Sequence, residues 1–257
     1  MMDYFSGQGK LYFGQRDTAG NPKAMRWVGD SADFSFSAEP DVLEAKENYS
    51  GNRQTVVRIT RELKMSMKTS LRQISTENIQ LLTQGDSVAQ SAGSPTNEII
   101  SPTTGSLAVG NVFILGGQDL SAVTIKDSSG TPKTLAAGTN YELDPKAGQI
   151  EILDATTGGP YTLPLKADYT KAALTRVKMY TAANVEYWLR FVGLNTAVSG
   201  FPKVVLDIYR VRLDPAKDFS MISDDLNTFE LAGSCLSDQT KTAASDYGQF
   251  GRLVQLT

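Results

Sequence analysis

One stretch of the chain alternates between polar and apolar residues for longer than an ordinary strand does. Residues 55–68 read Thr-Val-Val-Arg-Ile-Thr-Arg-Glu-Leu-Lys-Met-Ser-Met-Lys. Apart from Arg61, the odd positions from Val57 to Met67 are apolar, and the even positions from 58 to 68 are polar. This period of two predicts a strand with one buried and one solvated face. Its fourteen residues would span about 46 Å, whereas ordinary strands have about five or six residues. Such a length favours a large ribbon, barrel or tube wall over a compact enzyme core.

Composition restricts the chemistry that the chain can perform. Its 257 residues are 40% hydrophobic and 21% charged, with a net charge of −3, so a core can form and nucleic acid is not attracted by bulk charge. The chain has no histidine, which excludes histidine-ligated zinc and triads or dyads built on histidine. Cys235 is the single cysteine, so no intrachain disulfide can form. We therefore expect a protein that is not an enzyme and that carries no cofactor and no metal.

Neither a membrane span nor a secretory signal is predicted. No apolar run approaches the length of about 18 residues that a spanning helix needs. Residues 1–7 lack the basic region and apolar stretch of a signal peptide.

The segment just before the long strand is predicted to be a loop. Residues 33–38 alternate as a strand does, but from Glu39 to Arg53 the alternation stops and Pro40, acidic residues and Gly51 intervene. A loop of about 15 residues is uncommon and is usually functional or disordered. After the long strand, over 55–69 in our assignment, one short helix is predicted at 75–84. Ser75 can cap this helix and Gly85 can take the left-handed closing position.

A second region has a different texture. Residues 90–102 are rich in small polar residues and proline and read as a linker, and short apolar runs separated by turn signals follow up to about residue 166. We interpret 99–167 as a small β-rich module inserted between two halves of a main domain, 1–98 and 168–257. The alternative is that its strands continue a single sheet.

The C-terminal half is predicted to return to long strands. Candidate strands are 185–192, 203–213, 227–235 and 251–256, with a short helical turn at 215–219. Within 203–213 the apolar face switches sides, which predicts either a bulge near residues 207–210 or a strand that is buried on both faces.

Several motifs for other functions are weak. The Asp224-Asp225 pair lacks the spacing of a calcium loop and favours a solvated turn. Glu186 and Glu230 lie on candidate strands and could form a carboxylate pair for glycoside hydrolysis, but no motif supports this. Trp27 and Trp188 could form a sugar platform, although packing explains them more simply.

The order of these elements resembles the major tail tube protein of long non-contractile-tailed (siphovirus-type) bacteriophages. The resemblance covers residues 5–90 and 170–253 and rests on soft sequence patterns. In the N-terminal part these are Gly9-Lys-Leu-Tyr-Phe-Gly14, Val28-Gly29, Tyr49-Ser-Gly51, the long strand and the capped helix. In the C-terminal part they are residues 187–195, 205–213, 214–224 and 229–233.

The resemblance implies a mainly β tail-tube fold, an antiparallel β-sandwich or barrel with one short flanking helix, here carrying the inserted β module. It implies a structural virion protein that self-assembles into stacked hexameric rings and forms the hollow tail tube through which DNA passes. The partners would be further copies, the tape-measure protein, and the tail terminator and initiator proteins. DNA would pass transiently without sequence-specific binding. The location would be the phage tail, assembled in the cytoplasm of the bacterial host.

The resemblance also assigns candidate contact surfaces. The polar face of the long strand would line the lumen, with Arg58, Thr60, Glu62, Lys64 and Ser66 as candidates. The acidic loop would contact the adjoining ring, with Glu39, Asp41, Glu44, Lys46, Glu47 and Tyr49 as candidates. The basic residues of the strand are unexpected in a lumen that repels DNA, so which face lines the lumen stays open. The alternative function is a carbohydrate- or protein-binding β module of a phage adsorption device.

Overall fold

The structure, a computed structural model, describes residues 4–181, 185–241 and 247–256. The chain forms two compact units, of which unit 1 combines residues 1–87 with 177–257 and unit 2 comprises residues 88–176. The helix among the described residues is α1 (Thr76–Thr83). The strands are β1 (Gly7–Gln15), β2 (Arg26–Trp27), β3 (Ser31–Lys46), β4 (Thr55–Leu71), β5 (Asp86–Gln90), β6 (Glu98–Ile99), β7 (Val112–Ile114), β8 (Leu120–Lys126), β9 (Thr134–Leu135), β10 (Tyr141–Asp144), β11 (Gln149–Ile152), β12 (Lys166–Lys171), β13 (Leu174–Lys178), β14 (Glu186–Asn195), β15 (Lys203–Leu213), β16 (Phe229–Cys235) and β17 (Gly251–Gln255).

Unit 1 is built on one antiparallel sheet. Its strand order is β2-β1-β14-β15-β16-β4-β3, and β17 pairs with the part of β15 that β16 leaves free. The apolar faces of these strands and of α1 enclose a single core. Its buried members include Phe13, Met67, Leu71, Leu82, Leu189 and Leu231. The prediction of a mainly β, antiparallel, sandwich-like fold with one short helix is confirmed.

The predicted loop at residues 39–53 is wrong for its first half. β3 continues to Lys46 and pairs antiparallel with β4 along almost its whole length. Pro40 disrupts the sequence pattern of a strand, but β3 is the edge strand of the sheet, where proline is tolerated. The connection between β3 and β4 is therefore limited to residues 47–54.

The predicted helix is confirmed, with one change at its end. Ser75 is the N-cap, and its hydroxyl accepts a hydrogen bond from the Asn78 backbone N–H at 3.2 Å. Gln84, rather than Gly85, takes the left-handed conformation that closes the helix, with φ of 46°. Gly85 is required for a different reason, because a Cβ there would lie 2.3 Å from the Lys178 carbonyl oxygen.

The two alternatives for the apolar switch in β15 both apply. Tyr187 pairs with Val211 and Leu189 pairs with Ile208, so β15 holds one extra residue between these pairs. In the same region Ile208 and its neighbour Tyr209 are both buried, although they point to opposite faces. The bulge therefore lies in a strand that is covered on both sides.

Residues 215–219 do not form the predicted helical turn. The segment has no regular structure, and the Phe219 ring stacks on the Phe229 ring with centroids 4.8 Å apart. The Ala216 backbone N–H donates to the Leu82 carbonyl at 2.8 Å, so the start of this segment is tied to the helix by packing and by one hydrogen bond.

β5 and β13 pair with each other and carry the chain across the boundary between the units. Unit 2 begins earlier and ends later than the predicted module of 99–167. The predicted linker contributes structure, because β6 pairs with β12 and Gly93 forms a bridge to Lys171. Each of these pairings involves only one or two residues of the linker, too few for an apolar alternation from which the contacts could be predicted.

Unit 2 has two sheets and its own core. The strand orders are β10-β11-β7 and β6-β12-β8-β9. Buried apolar residues of both sheets form one cluster, which includes Ile125, Leu135, Ile150, Ile152 and Leu165. The buried Asp127 carboxylate accepts hydrogen bonds from the backbone N–H groups of Lys133 and Thr162, at 2.6 Å and 3.0 Å.

In the described part of the chain, no helix has the length and apolar character that spanning a bilayer requires.

Candidate functional site

The outer part of the β3–β4 hairpin extends away from the core of unit 1. We name residues 39–64 the arm. Within the arm, all side chains except those of Val42 and Glu47 are exposed. Further along β4, by contrast, Met67, Thr69 and Leu71 are buried in unit 1. The predicted long strand is therefore anchored at one end and solvated on both faces at the other.

Both strands of the arm carry apolar side chains that the chain itself does not cover. Leu63 and Ile59 of β4 lie opposite Pro40 and Leu43 of β3. Scattered exposed apolar residues are normal, but several of them on one projecting hairpin make it a candidate surface for binding another molecule. Besides Tyr49 at its tip, the exposed large apolar residues of the arm are Leu43, Val56, Val57, Ile59 and Leu63.

A register shift divides the arm into two parts. Asp41 pairs with Glu62, and the next residue of β3, Val42, pairs with Thr60 and skips Arg61. Because paired residues share a face and consecutive residues of β3 alternate, Glu62 and Thr60 lie on opposite faces. The prediction of a single polar face along residues 58–66 is therefore wrong. On one face are Glu62, Lys64 and Ser66, and on the other are Arg58 and Thr60.

The predicted inter-ring residues lie in two different settings. Glu39, Asp41, Glu44 and Lys46 lie on β3 rather than in a loop, opposite Lys64, Glu62, Arg58 and Thr55 respectively. The carboxylate of Glu44 lies 3.6 Å from Arg58 Nε, an exposed ion pair that contributes little. All four side chains are solvated and available to a partner.

Glu47 and Tyr49 lie in the turn at the tip of the arm. The Glu47 carboxylate accepts hydrogen bonds from the backbone N–H groups of Tyr49 and Ser50, at 3.1 Å and 2.8 Å, and from the Ser50 hydroxyl. These hydrogen bonds lower the pKa of Glu47 below its ordinary value, and the bond from the Ser50 hydroxyl has the largest effect. Glu47 therefore stabilises the turn and is not free for a partner, whereas the exposed Tyr49 ring is.

The anchored end of β4 presents a polar face. Ser66 Oγ lies 2.8 Å from Ser37 Oγ of β3, and Lys68 Nζ lies 2.7 Å from the Glu230 carboxylate of β16. The Glu230 carboxylate raises the pKa of Lys68 and lies close enough to neutralise the charge of its ammonium group. Ser234, which pairs with Ser66, extends the same face onto β16. The face thus combines small hydroxyl groups with a neutralised ion pair.

The carboxylates considered for hydrolysis are both engaged in ion pairs. Arg210 donates two hydrogen bonds to Glu186, at 2.6 Å and 2.9 Å, and Arg16 donates a third at 3.1 Å. These hydrogen bonds, of which those from Arg210 have the largest effect, lower the pKa of Glu186. A general acid needs a raised pKa instead. Glu230 is paired with Lys68. β14 and β16 are separated by β15 in the sheet, so no neighbouring strands place the two carboxylates side by side.

The tryptophans do not form an open platform. Trp188 packs against Tyr209 with ring centroids 4.7 Å apart, and the ammonium of Lys241 covers both rings. Trp27 is partly exposed and lies under the Lys10 ammonium at 4.8 Å. The described residues contain no group of acidic or cysteine side chains arranged to hold a metal ion.

Sequence reasoning predicted a solvated turn at Asp224-Asp225, and both residues are exposed, but it missed the exposed apolar residues beside them in residues 217–227, between β15 and β16. Ile222 and Leu226 there are each 94% exposed. Its apolar residues have neither the period of a strand nor that of a helix, so only their composition could have drawn attention to them.

Comparison with known proteins adds a family but no activity. A search of curated proteins finds no match. A family profile described as "protein of unknown function UCP028589" matches residues 4–254, which is nearly the whole chain and spans both units. The chain belongs to the UCP028589 family.

Proposed function

We propose that this chain is a structural virion protein that self-assembles into stacked hexameric rings and forms the tail tube of a siphovirus-type phage. Further copies of the chain are its main partners, with the tape-measure protein and the terminator and initiator proteins at the ends of the tube. Its place is the phage tail, after assembly in the cytoplasm of the bacterial host. DNA passes through the tube without sequence-specific binding.

The arm is the observation that carries this proposal. The outer residues of this hairpin are solvated on both faces, and their apolar side chains lie outside the core of unit 1. Such a hairpin does not stabilise a monomer. Burying those side chains on another copy is favourable by about 25 cal/mol per Å² of apolar surface. A projecting arm also extends beyond the surface of its own unit, as contact between stacked rings requires.

The edges of the sheet support a repeating, head-to-tail assembly. β3 ends the sheet on one side with a long strand, and β2 ends it on the other with only two residues, which cover only part of β1. Exposed edges that are long and unprotected are a risk for a monomer but can be paired by a neighbour in an oligomer. Two different edges that meet give a heterologous contact, and such contacts close into rings when the rotation per copy divides a full turn.

The polar face near Ser66 and Lys68 suits a surface along which DNA slides. A polyanion is held by unpaired cations, and it is attracted only weakly by hydroxyl groups and by a lysine that a carboxylate neutralises. The arm itself is balanced, with five acidic residues (Glu39, Asp41, Glu44, Glu47, Glu62) and five basic residues (Lys46, Arg53, Arg58, Arg61, Lys64). We therefore assign the Ser66 face to the lumen and the arm to contact between copies.

Electron microscopy of the purified, concentrated chain, together with light scattering, tests this function. We expect rings or tubes with a central channel. The double substitution Val57→Ser and Ile59→Ser should leave a folded monomer, because it removes apolar surface that only a partner would bury. Thr60→Ser, on the same strand, serves as the control and should assemble normally. A wild-type chain that stays monomeric at every concentration would contradict the proposal, and saturable glycan binding by that monomer would favour an adsorption module instead.

A further inference from the structure

The β3–β4 hairpin carries an apolar patch where it leaves unit 1. Met67 belongs to the core of unit 1 and pairs with Phe36 of β3, so both lie on the core side of the sheet. Pairing is regular from there to Leu63, so alternate residues keep to that side. We name the apolar residues of this stretch the base patch: Phe36, Ala38, Pro40, Leu63 and Met65. All of them except Met65, which is half-buried, are exposed.

Beyond the register shift at Arg61, the apolar residues lie on the opposite face of the hairpin. Asp41 and Glu62 are paired on the side away from the core, and β3 alternates regularly onward from Asp41. Leu43 and Ala45 therefore share that side with Asp41. We name these two residues and their partners on β4 the tip patch: Leu43, Ala45, Val57 and Ile59. All four side chains are exposed.

Charged side chains lie on the opposite face behind each patch. Behind the base patch are Glu39, Asp41, Glu62 and Lys64. Behind the tip patch are Glu44, Lys46 and Arg58. An apolar face backed by a charged face is the pattern of a ribbon with one covered side, and a hairpin that stays in water on both faces does not need it. Each part of the hairpin therefore has one face suited to being covered, and these two faces are opposite.

An open apolar groove of unit 1 adjoins the base patch. Its volume is about 820 Å³, and residues of β1, β3, β14, β15 and β17 line it. Phe36 belongs both to this lining and to the base patch, and Leu253, another lining residue, is 64% exposed. Phe34 and Phe191 also line the groove, and their rings stack with centroids 5.9 Å apart. A concave apolar site of this volume can bury several apolar groups of a partner.

We propose that the tip patch of one copy docks on the base patch of a second copy, with Leu43 and Ile59 reaching into the adjoining groove. The inference rests on the proposed self-assembly and names the surface that receives the arm. The tip patch faces away from the core side of its own sheet, so the groove that receives it belongs to another copy. Each copy carries both surfaces, as a heterologous contact requires.

The opposite facing of the two patches selects head-to-tail assembly. A two-fold axis between stacked arms would bring the same face of both arms together. Here one face of an arm meets the opposite face of the next arm, so each copy donates its tip patch in one direction and receives another tip patch from the other. The docked tip lies on the core side of the receiving sheet, which leaves the Ser66 face free for the lumen.

Two changes of one residue each test whether facing decides assembly. Insertion of a threonine between Asp41 and Val42 gives Arg61 an opposite residue and turns the tip patch onto the same face as the base patch. We expect the concentration needed for assembly to rise by about tenfold or more. Deletion of Arg61 also removes the bulge but keeps the facing of both patches, so this variant should assemble within about threefold of the wild type. Both variants should fold, because the core of unit 1 lies outside the altered part of the hairpin.

A crosslink reads the contact without depending on tube formation. A chain with Ala45→Cys in the tip patch and a second chain with Gln255→Cys in the groove lining should be joined by a short bismaleimide when they are combined. The native Cys235 is buried and does not compete. In the control, Lys64→Cys replaces Gln255→Cys, and it should not crosslink because it lies at the base of the arm on the face opposite to the base patch.

The outcomes separate this docking from the proposed tube. If the wild type assembles but the crosslink does not form, or if the insertion variant assembles as well as the wild type, this docking is wrong and the tube proposal stands. If the deletion variant fails to assemble as the insertion variant does, the bend of the bulge and not the facing of the patches is responsible, and the docking is again wrong. A crosslink formed by chains that never assemble would support the contact and reject the tube.

Discussion

Glu186 is held between two arginines that come from distant parts of the chain. The bonds from Arg210, and then from Arg16, keep its pKa low, so the carboxylate stabilises the folded state fully above about pH 4.3 and loses this effect as the pH falls through the lowered pKa. We expect Glu186→Gln to reduce the free energy of unfolding by about 1–2 kcal/mol at pH 7, because hydrogen bonds to charged groups are lost. The difference from the wild type should shrink below about pH 4.

Chemical denaturation at several pH values measures this effect. Glu39→Gln is a matched control, because Glu39 is exposed and has no ion pair among the described residues, and it should change stability by less than about 0.5 kcal/mol. A loss for Glu186→Gln that is equally large at pH 3 would show that packing, and not the charge, is responsible.

At the scale of elements, the inner and outer parts of β4 should differ in local stability. Residues 67–71 lie between β3 and β16 with alternate side chains in the core, whereas residues 56–63 pair with β3 alone and are solvated on both faces. In the unassembled chain, we expect hydrogen-bonded amides of the outer part to exchange with an opening free energy about 2 kcal/mol or more below that of the inner part. Native-state hydrogen exchange resolved by residue measures both parts in one experiment. Equal protection along the whole strand would mean that the arm is covered, and the assignment of a solvated arm would fail.

The same hairpin shows what sequence reasoning can and cannot reach. β4 was predictable because its alternation is nearly unbroken, and alternation is the direct mark of a pleated strand. β3 was not, because Pro40 and three acidic residues after residue 38 interrupt the apolar half of the pattern, and an edge strand paired on one side does not need it. The candidate residues were therefore near the right place, but the register shift at Arg61 divides them between two faces. No single-strand pattern reveals such a shift, because it is a property of the pair.

At the scale of the whole molecule, unit 2 has what an independent domain needs. Its residues run without interruption from 88 to 176, its two sheets bury one apolar cluster, and β5 and β13 bring the chain in and out on paired strands. A chain of this size can bury enough surface to fold alone. We expect a fragment of residues 88–176 to unfold cooperatively and to keep the amide spectrum that these residues show in the full chain.

Two isoleucines on adjacent strands of unit 2 make that expectation quantitative. Ile150 of β11 is fully buried, whereas Ile114 of the neighbouring strand β7 is largely exposed. Ile150→Ala should cost the fragment about 2–4 kcal/mol, because it leaves a cavity, and Ile114→Ala should cost less than about 0.5 kcal/mol. Thermal unfolding of the two variants, in the fragment and in the full chain, compares them directly. Equal costs at the two positions would mean that the cluster is not a packed core. A cost for Ile150→Ala that appears only in the full chain would mean that unit 2 depends on unit 1 for its folding, and it could not then be treated as a separable insertion.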